Sequence, residues 1–323
     1  MIKNIVTFTL TIVCIIGFSA NLKAQDPQFT QFYANPLYLN PALAGSETCP
    51  RATMNYRDQW PGISGNFVTF TASYDQFVKG VYGGVGLQFL RDEAGENTLS
   101  NTRIALTYAY TFNLSRSFAL KFGAEVAYFQ RSLDFSKLTF GDMIDARKGF
   151  IYNTNDIPRG GSVGNMDFGA GMFGYSKNFY FGFAAHHLTE PNESLILDES
   201  PLPFKFTAHA GSKIPIGDNK YKGSETYISP NIMYMQQAEF NQLLFGLYMQ
   251  KGPILGGVWY RNQDAFILLL GVEHNDLKFG YSYDITVSTL TTKTAGSHEI
   301  SVGYNFDCRP QKRRFRTISC PSF

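Results

Sequence analysis

Ile104-Ala105-Leu106-Thr107-Tyr108-Ala109-Tyr110-Thr111-Phe112 is followed by Asn113-Leu114-Ser115-Arg116. Then comes Phe118-Ala119-Leu120-Lys121-Phe122-Gly123-Ala124-Glu125-Val126-Ala127-Tyr128. On both sides of the polar break a large apolar residue alternates with a small or charged one. Period two dictates strand, and the break dictates a tight hairpin. Each run exceeds the usual globular strand of about 5–6 residues and matches the roughly 9–11 residues that carry a tilted strand across a bilayer. One face is aliphatic and aromatic, and the other is small or charged. That is the wall of a transmembrane barrel, apolar toward lipid and polar toward the lumen.

Composition agrees. Aromatic residues are 15% of the 323, and charged residues are 17%, below the usual quarter. A mean hydropathy of −0.15 would pass for a soluble chain, but lumen residues dilute lipid-facing ones in a barrel. A formal charge of +2 gives no electrostatic case for nucleic acid.

The start has the three parts of a signal peptide: Lys3, an apolar run from Ile5 to Phe18, and Leu22-Lys23-Ala24 before Gln25. The run is short for an anchor helix, and no later stretch reaches about 18 apolar residues. The expected division is a signal peptide over 1–24, an irregular segment over 25–50, a barrel over 51–307 and a periplasmic tail over 308–323. Cys49, Cys308 and Cys320 remain after cleavage, and export to an oxidising compartment favours one pair and one free thiol. Cys49 precedes the first strand and Cys308 follows the last, and barrel closure makes those strands neighbours. Cys308 with Cys320 instead closes a short local loop, and this pairing is the expected one.

The segment 25–50 contains Asn35-Pro36-Leu37-Tyr38-Leu39-Asn40-Pro41-Ala42 and is not strand-like. Proline removes ladder donors, and irregular backbone cannot face lipid. The segment therefore plugs the lumen or docks on the periplasmic side, with Phe29, Tyr38, Asn40 and Pro41 as its candidate residues. From Arg51 about fourteen strands can be drawn, an even number as bacterial barrels use. They lie near 51–58, 67–75, 80–91, 101–113, 117–131, 165–176, 178–188, 204–216, 225–237, 240–251, 253–262, 264–274, 276–287 and 296–307. The fold expected is all-β, an antiparallel transmembrane barrel with an N-terminal plug. Short connections such as 113–116 and 275–276 alternate with long ones at 132–164 and 189–203. With short turns inside and long loops outside, both termini are periplasmic.

Lumen positions carry Arg103, Lys121, Glu125, Asp167, Glu273, Lys278, Asp284 and Glu299. Interleaved signs point to salt-bridged filling, not to a selective channel. Phe266-Ile267-Leu268-Leu269-Leu270 is apolar on both faces, which fits lumen packing, or contact with a plug or another protein. Gly169-x-Gly171-x-x-Gly174 matches a dinucleotide fingerprint by letters alone and lies in a strand with no helix after it. The glycines instead make room in a curved wall. His186, His187 and His209 have no nucleophile motif beside them. No enzyme activity, cofactor or metal is expected. The long loop carries Phe140, Met143, Ile144, Phe150, Ile151 and Tyr152, many apolar residues for a water-facing segment and therefore a candidate partner surface.

Five stretches resemble the PorP/SprF family: Gln25-Asp26-Pro27-Gln28-Phe29, Asn35 through Ser46, Tyr56-Arg57-Asp58-Gln59-Trp60, Gly280-Tyr281-Ser282-Tyr283-Asp284 and Gly296-Ser297-His298-Glu299-Ile300. They fall in order along the mature chain. Phe140-Gly141-Asp142-Met143-Ile144-Asp145 and Cys320-Pro321-Ser322-Phe323 look like the SprF branch. The resemblance implies an outer-membrane barrel of the type IX secretion system of Bacteroidota. In that branch it implies a secreted partner, such as a gliding adhesin, whose type B C-terminal signal domain the barrel binds during export or surface attachment. A core role linking the outer membrane to a periplasmic ring is the alternative within the family. A passive porin or solute channel is the alternative outside it.

Overall fold

The computed structural model describes residues 25–47, 49–138, 143–145, 147, 149–150, 161–195, 199–216, 226–287 and 295–308. The expected signal peptide and the tail beyond 308 lie outside the described residues. No described helix is long and apolar enough to cross a membrane, which says nothing about strands.

The wall is one closed antiparallel sheet of fourteen strands. They are β1 (Arg51–Gln59), β2 (Phe67–Val78), β3 (Gly83–Ala94), β4 (Leu99–Asn113), β5 (Phe118–Leu133), β6 (Ser162–Ser176) and β7 (Phe179–His186). Then follow β8 (Lys205–Ser212), β9 (Thr226–Gln237), β10 (Phe240–Lys251), β11 (Ile254–Arg261), β12 (Ala265–His274), β13 (Leu277–Thr286) and β14 (Ser297–Asn305). A two-residue piece, Ile214–Pro215, lies beside β9, and a small ribbon pairs Ile144–Asp145 with Gly149–Phe150. Neighbours in sequence are neighbours in the sheet, and β1 closes on β14 from Arg51↔Asn305 to Gln59↔Ser297. Closure leaves no sheet edge along this seam, which a bilayer requires.

The alternation read from 104–128 sets the faces. Ile104, Leu106, Tyr108, Tyr110 and Phe112 are exposed on the outside, while Ala105, Ala109, Lys121 and Glu125 are buried inside. Two mouths result. β1 begins and β14 ends at one, the termini mouth, where most turns are short. The segments 134–161 and 187–204 connect strands at the other, the long-loop mouth.

The segment before β1 fills part of the lumen as three single turns, Phe32–Ala34, Pro36–Leu39 and Pro41–Leu43. Prolines suit the first position of such turns, where their missing N–H has no partner to lose. Phe32, Tyr33, Leu39, Ala42 and Leu43 form one apolar cluster with Phe173, Tyr180, Met233, Leu244, Trp259, Ile267 and Leu269 from the wall. The inward half of the doubly apolar strand β12 thus packs in the cluster that contains the plug.

The expected Cys308–Cys320 disulfide is corrected. Cys49 pairs with Cys308, with Cα atoms 5.6 Å apart across the β1/β14 seam. Barrel closure has already brought these two ends together, so the local loop holds no entropic advantage over this pair. Cys320 lies outside the described residues.

Candidate functional site

The site is the junction between plug and wall. It is built from inward-facing strand residues that meet plug backbone, at successive depths along the barrel.

Near the long-loop mouth, Thr30 donates its backbone N–H to Glu299 Oε2 at 2.6 Å and its hydroxyl to the same oxygen at 2.7 Å. Gln31 donates its N–H to Glu299 Oε1 at 3.3 Å and its side-chain amide to the Glu299 carbonyl at 2.9 Å. Glu299 is balanced by Arg57 at 3.5 Å, which also pairs with Asp284 at 3.0 Å. Arg261 approaches Asp284 at 3.5 Å. All four side chains are buried. A charge withdrawn from water persists only when paired and hydrogen-bonded, and here plug amides complete the set.

A second cluster holds the beginning of the plug. Asp26 lies 2.9 Å from His187 Nε2 and 3.0 Å from Lys205 Nζ. His187 Nδ1 meets Asp167 at 2.8 Å, and Arg103 joins Glu125. His187 is the first residue beyond β7. Burial would lower its pKa, but the Asp26 carboxylate and the hydrogen bond to Asp167 outweigh it and raise the imidazole to about 9. Burial pushes the Asp26 carboxyl up, and His187 and Lys205 pull it well below the usual carboxylate range.

At mid-depth the candidate plug residues lock into the wall. Phe29 and Tyr38 pack edge to face at 5.0 Å. Lys205 donates to the Tyr38 hydroxyl at 3.1 Å. Asn40 donates to the carbonyls of Met172 at 3.0 Å and Phe183 at 3.2 Å. Its own oxygen caps the turn begun by Pro41, accepting Ala42 N–H at 2.9 Å. A Cβ on Gly171 would strike Asn40, and one on Gly123 would strike Ala42. Of the fingerprint glycines, Gly171 makes room for the plug, while Gly169 and Gly174 make room for wall residues such as His186 and Phe181. At the termini mouth, Gly45 donates its N–H to Asp75 at 2.8 Å, Arg51 pairs with Asp75 at 3.0 Å, and Lys121 donates to the Ala44 carbonyl at 2.9 Å.

Of the lumen charges read from the sequence, Arg103, Lys121, Glu125, Asp167, Asp284 and Glu299 are buried, while Glu273 and Lys278 pair at 3.6 Å in the termini mouth. His209 stacks on Phe173 at 5.8 Å. Among the described residues, no group of three or more His, Cys, Asp or Glu is placed to hold a metal ion. The long-loop candidates are not drawn into this junction. Met143 is half-buried and Ile144 is exposed. Phe150 pairs with Ile144 through the backbone. Phe140, Ile151 and Tyr152 lie outside the described residues. Sequence reading missed Asp26, Thr30, Arg57, Asp75 and His187 as site residues. Their only signal was polarity at inward positions or within the motif stretches.

A closed wall, apolar outside and latched onto its own N-terminal segment inside, defines an occluded outer-membrane β-barrel. Residues 21–304 match the family model described as "Type IX secretion system membrane protein PorP/SprF". The chain belongs to that family of type IX secretion barrels, a non-enzymatic kind of protein. No curated protein matches it. Among solved structures it is similar to the Pseudomonas putida toluene transporter TodX, with TM-score 0.45, 9% identity and coverage of 84% of this chain and 93% of that one. It is also similar to the Acinetobacter baumannii outer membrane protein Omp33, with TM-score 0.44, 8% identity and coverage of 81% and 100%. Likeness at this level carries nothing about what the present chain binds.

Proposed function

We propose that the barrel acts as a mooring and export partner, without catalytic role, for a large secreted surface protein, by binding its type B C-terminal signal domain. The SprF-like stretches support this branch of the family. The observation that carries the reading is the latched plug. A lumen crossed by apolar packing and buried ion pairs offers surfaces to a partner, not a path to a solute. The chain is exported by its N-terminal signal, and the termini mouth faces the periplasm. The long-loop mouth then faces outward, and the exposed Ile144 with its neighbours in 132–164 is the partner surface, helped by 189–203.

In cells producing the secreted partner, deletion of 143–155 should leave a folded, heat-modifiable barrel and release the surface protein into the medium. Cysteine labelling of intact cells should succeed at Asn153→Cys and fail at Ser115→Cys. Full retention after the deletion, with loss on substitution of Asn40 and Pro41, would move the contact to the plug.

A further inference from the structure

At the long-loop mouth β6 outruns its neighbour. Its pairing with β5 covers the full strand, from Ser132↔Ser162 to Phe118↔Ser176, but its pairing with β7 ends at Ala170↔Ala185. Past that point one backbone hydrogen bond arrives from the β7 side, from Leu188 N–H to the Phe168 carbonyl at 3.0 Å. In an extended strand the N–H and C=O of a residue point to one side, and the side alternates along the chain. Phe168 therefore sets the direction for Met166 and Gly164, which also point away from β5. The odd position Gly161 confirms it, giving its carbonyl to Leu133 at the end of β5 at 2.9 Å. Among the described residues, no backbone group bonds the N–H or C=O of Gly164 or Met166 on the open side.

The gap has a cause in the plug latch. β7 ends because His187 turns out of the strand at φ +57° and meets Asp167 and Asp26 through its two ring nitrogens. That conformation is uncommon outside glycine, and the two carboxylates hold the side chain there. The segment that follows bonds to itself, Glu193 N–H to the Ser200 carbonyl and Leu202 N–H to the Pro191 carbonyl, both at 2.9 Å. It touches β6 through an inward side chain, Asn165, which donates to the Asn192 carbonyl at 2.6 Å. The residues that would have prolonged β7 are thus committed elsewhere.

Open sheet edges are usually blunted by charge, proline or a bulge. This one carries Gly164, Met166 and Phe168 on its outer face, with Met166 51% and Phe168 41% exposed. Asp167 faces inward and is held by His187. Unpaired backbone groups are not tolerated in hydrocarbon, so the stretch stands clear of it.

We infer that the upper edge of β6, residues 162–168, receives an extended strand of another polypeptide, laid antiparallel in the place that β7 leaves. The open groups recur at every second residue, about 6.8 Å apart, which is the repeat of a second extended backbone. Apolar residues at alternate positions of that strand rest beside Met166 and Phe168. A second copy inserted in the same membrane presents this edge running the same way, not the opposite way that the antiparallel wall requires. The inference stands apart from the cargo reading and needs only the edge.

The test uses the full-length protein in phosphatidylcholine nanodiscs and a fluorescein-labelled peptide, Lys-Val-Thr-Val-Thr-Val-Thr-Val-Lys. The control is the same peptide N-methylated at two adjacent central residues, which blocks a donor on each of its edges. Anisotropy should show binding of the unmethylated peptide alone. Amide exchange by NMR should be fast at Gly164 and Met166 in the free protein and slowed at least tenfold by the peptide. Met166→Pro removes the N–H on the open side and spares the β5 ladder. It should weaken binding at least tenfold in a barrel that remains heat-modifiable, whereas Met166→Thr, which keeps the N–H, should stay within about twofold of wild type. Equal binding of the methylated peptide overturns the proposal, as does an equal loss in both variants, which assigns the contact to the Met166 side chain. Amides already protected in the free protein show that the chain's own residues cover the edge, which also rejects it. These readouts involve no secreted partner, so their failure leaves the attachment reading to its own deletion test.

Discussion

Glu299, on the last strand, holds the backbone amide of Thr30, 269 residues earlier in the chain, at 2.6 Å. This bond joins the beginning of the plug to the final strand of the wall. Glu299 lies in one motif stretch and Arg57 and Asp284 lie in two others, and the three are in ionic contact around the plug. The motif stretches are thus distant in sequence and adjacent in space.

Glu299→Gln should loosen the plug. It keeps the shape of the side chain but removes the charge that faces Arg57 and accepts two amides. Hydrogen bonds to charged groups contribute about 1.5–3 kcal/mol, so a destabilisation of that size is expected in urea titration of the vesicle-reconstituted barrel. In planar bilayers the wild-type protein should pass little current and the variant should show frequent openings. Two indistinguishable conductance records would show that Glu299 does not hold the lumen closed.

Alkaline pH should release the first residues of the plug. His187 is raised to about 9 from an ordinary 6.5. A raised pKa means the stabilisation is fully present below the ordinary value and is lost as pH climbs through the folded one. Asp26, lowered, contributes above its ordinary 3.8 and loses that contribution as pH falls below it. The contact therefore holds at neutral pH and fails above about 9. An imidazole NMR titration should place the His187 midpoint near 9, and Asp26→Asn should lower it. A midpoint unmoved by that substitution would exclude Asp26 as the cause.

Non-reducing peptide mapping should recover one linked pair, Cys49 with Cys308, and Cys320 as a free thiol. The bridge encloses 259 residues of separation, nearly the whole wall. In the chain-entropy model such a loop contributes roughly 5 kcal/mol, so Cys49→Ser should lower the unfolding midpoint strongly. A Cys308–Cys320 peptide in the map would contradict the structure.

The wall was legible in the sequence because period two is a local property. Ile104 through Phe112 and Phe118 through Tyr128 declare their faces without reference to anything else, and the strand count followed from repetition. The plug was legible only as a segment unfit for lipid. Its latches were not, because Thr30 with Glu299 and Asp26 with His187 are set by barrel closure, and no local pattern encodes which inward polar residue meets which turn. The disulfide failed for a different reason, since closure already made the strands beside Cys49 and Cys308 neighbours in the sequence reading. Local loop length favoured Cys320, whereas the β1/β14 seam places Cys49 beside Cys308. Gly171 was read as space, but its occupant, Asn40, appears only once the plug is in the lumen.

The plug runs from Asp26, beside His187 at the long-loop mouth, to Cys49 at the termini mouth, so the chain passes lengthwise through a ring that its own later residues form. This imposes an order on biogenesis. The segment must lie in place before β14 meets β1, because a finished hoop could accept it only by end-on threading past Trp259 and the buried tyrosines. Oxidation of Cys49 with Cys308 then fastens the hoop at its joint. The plug, made before every strand of the wall, therefore waits for the last of them, and a barrel released before its final strand is made would have nothing to close around its plug.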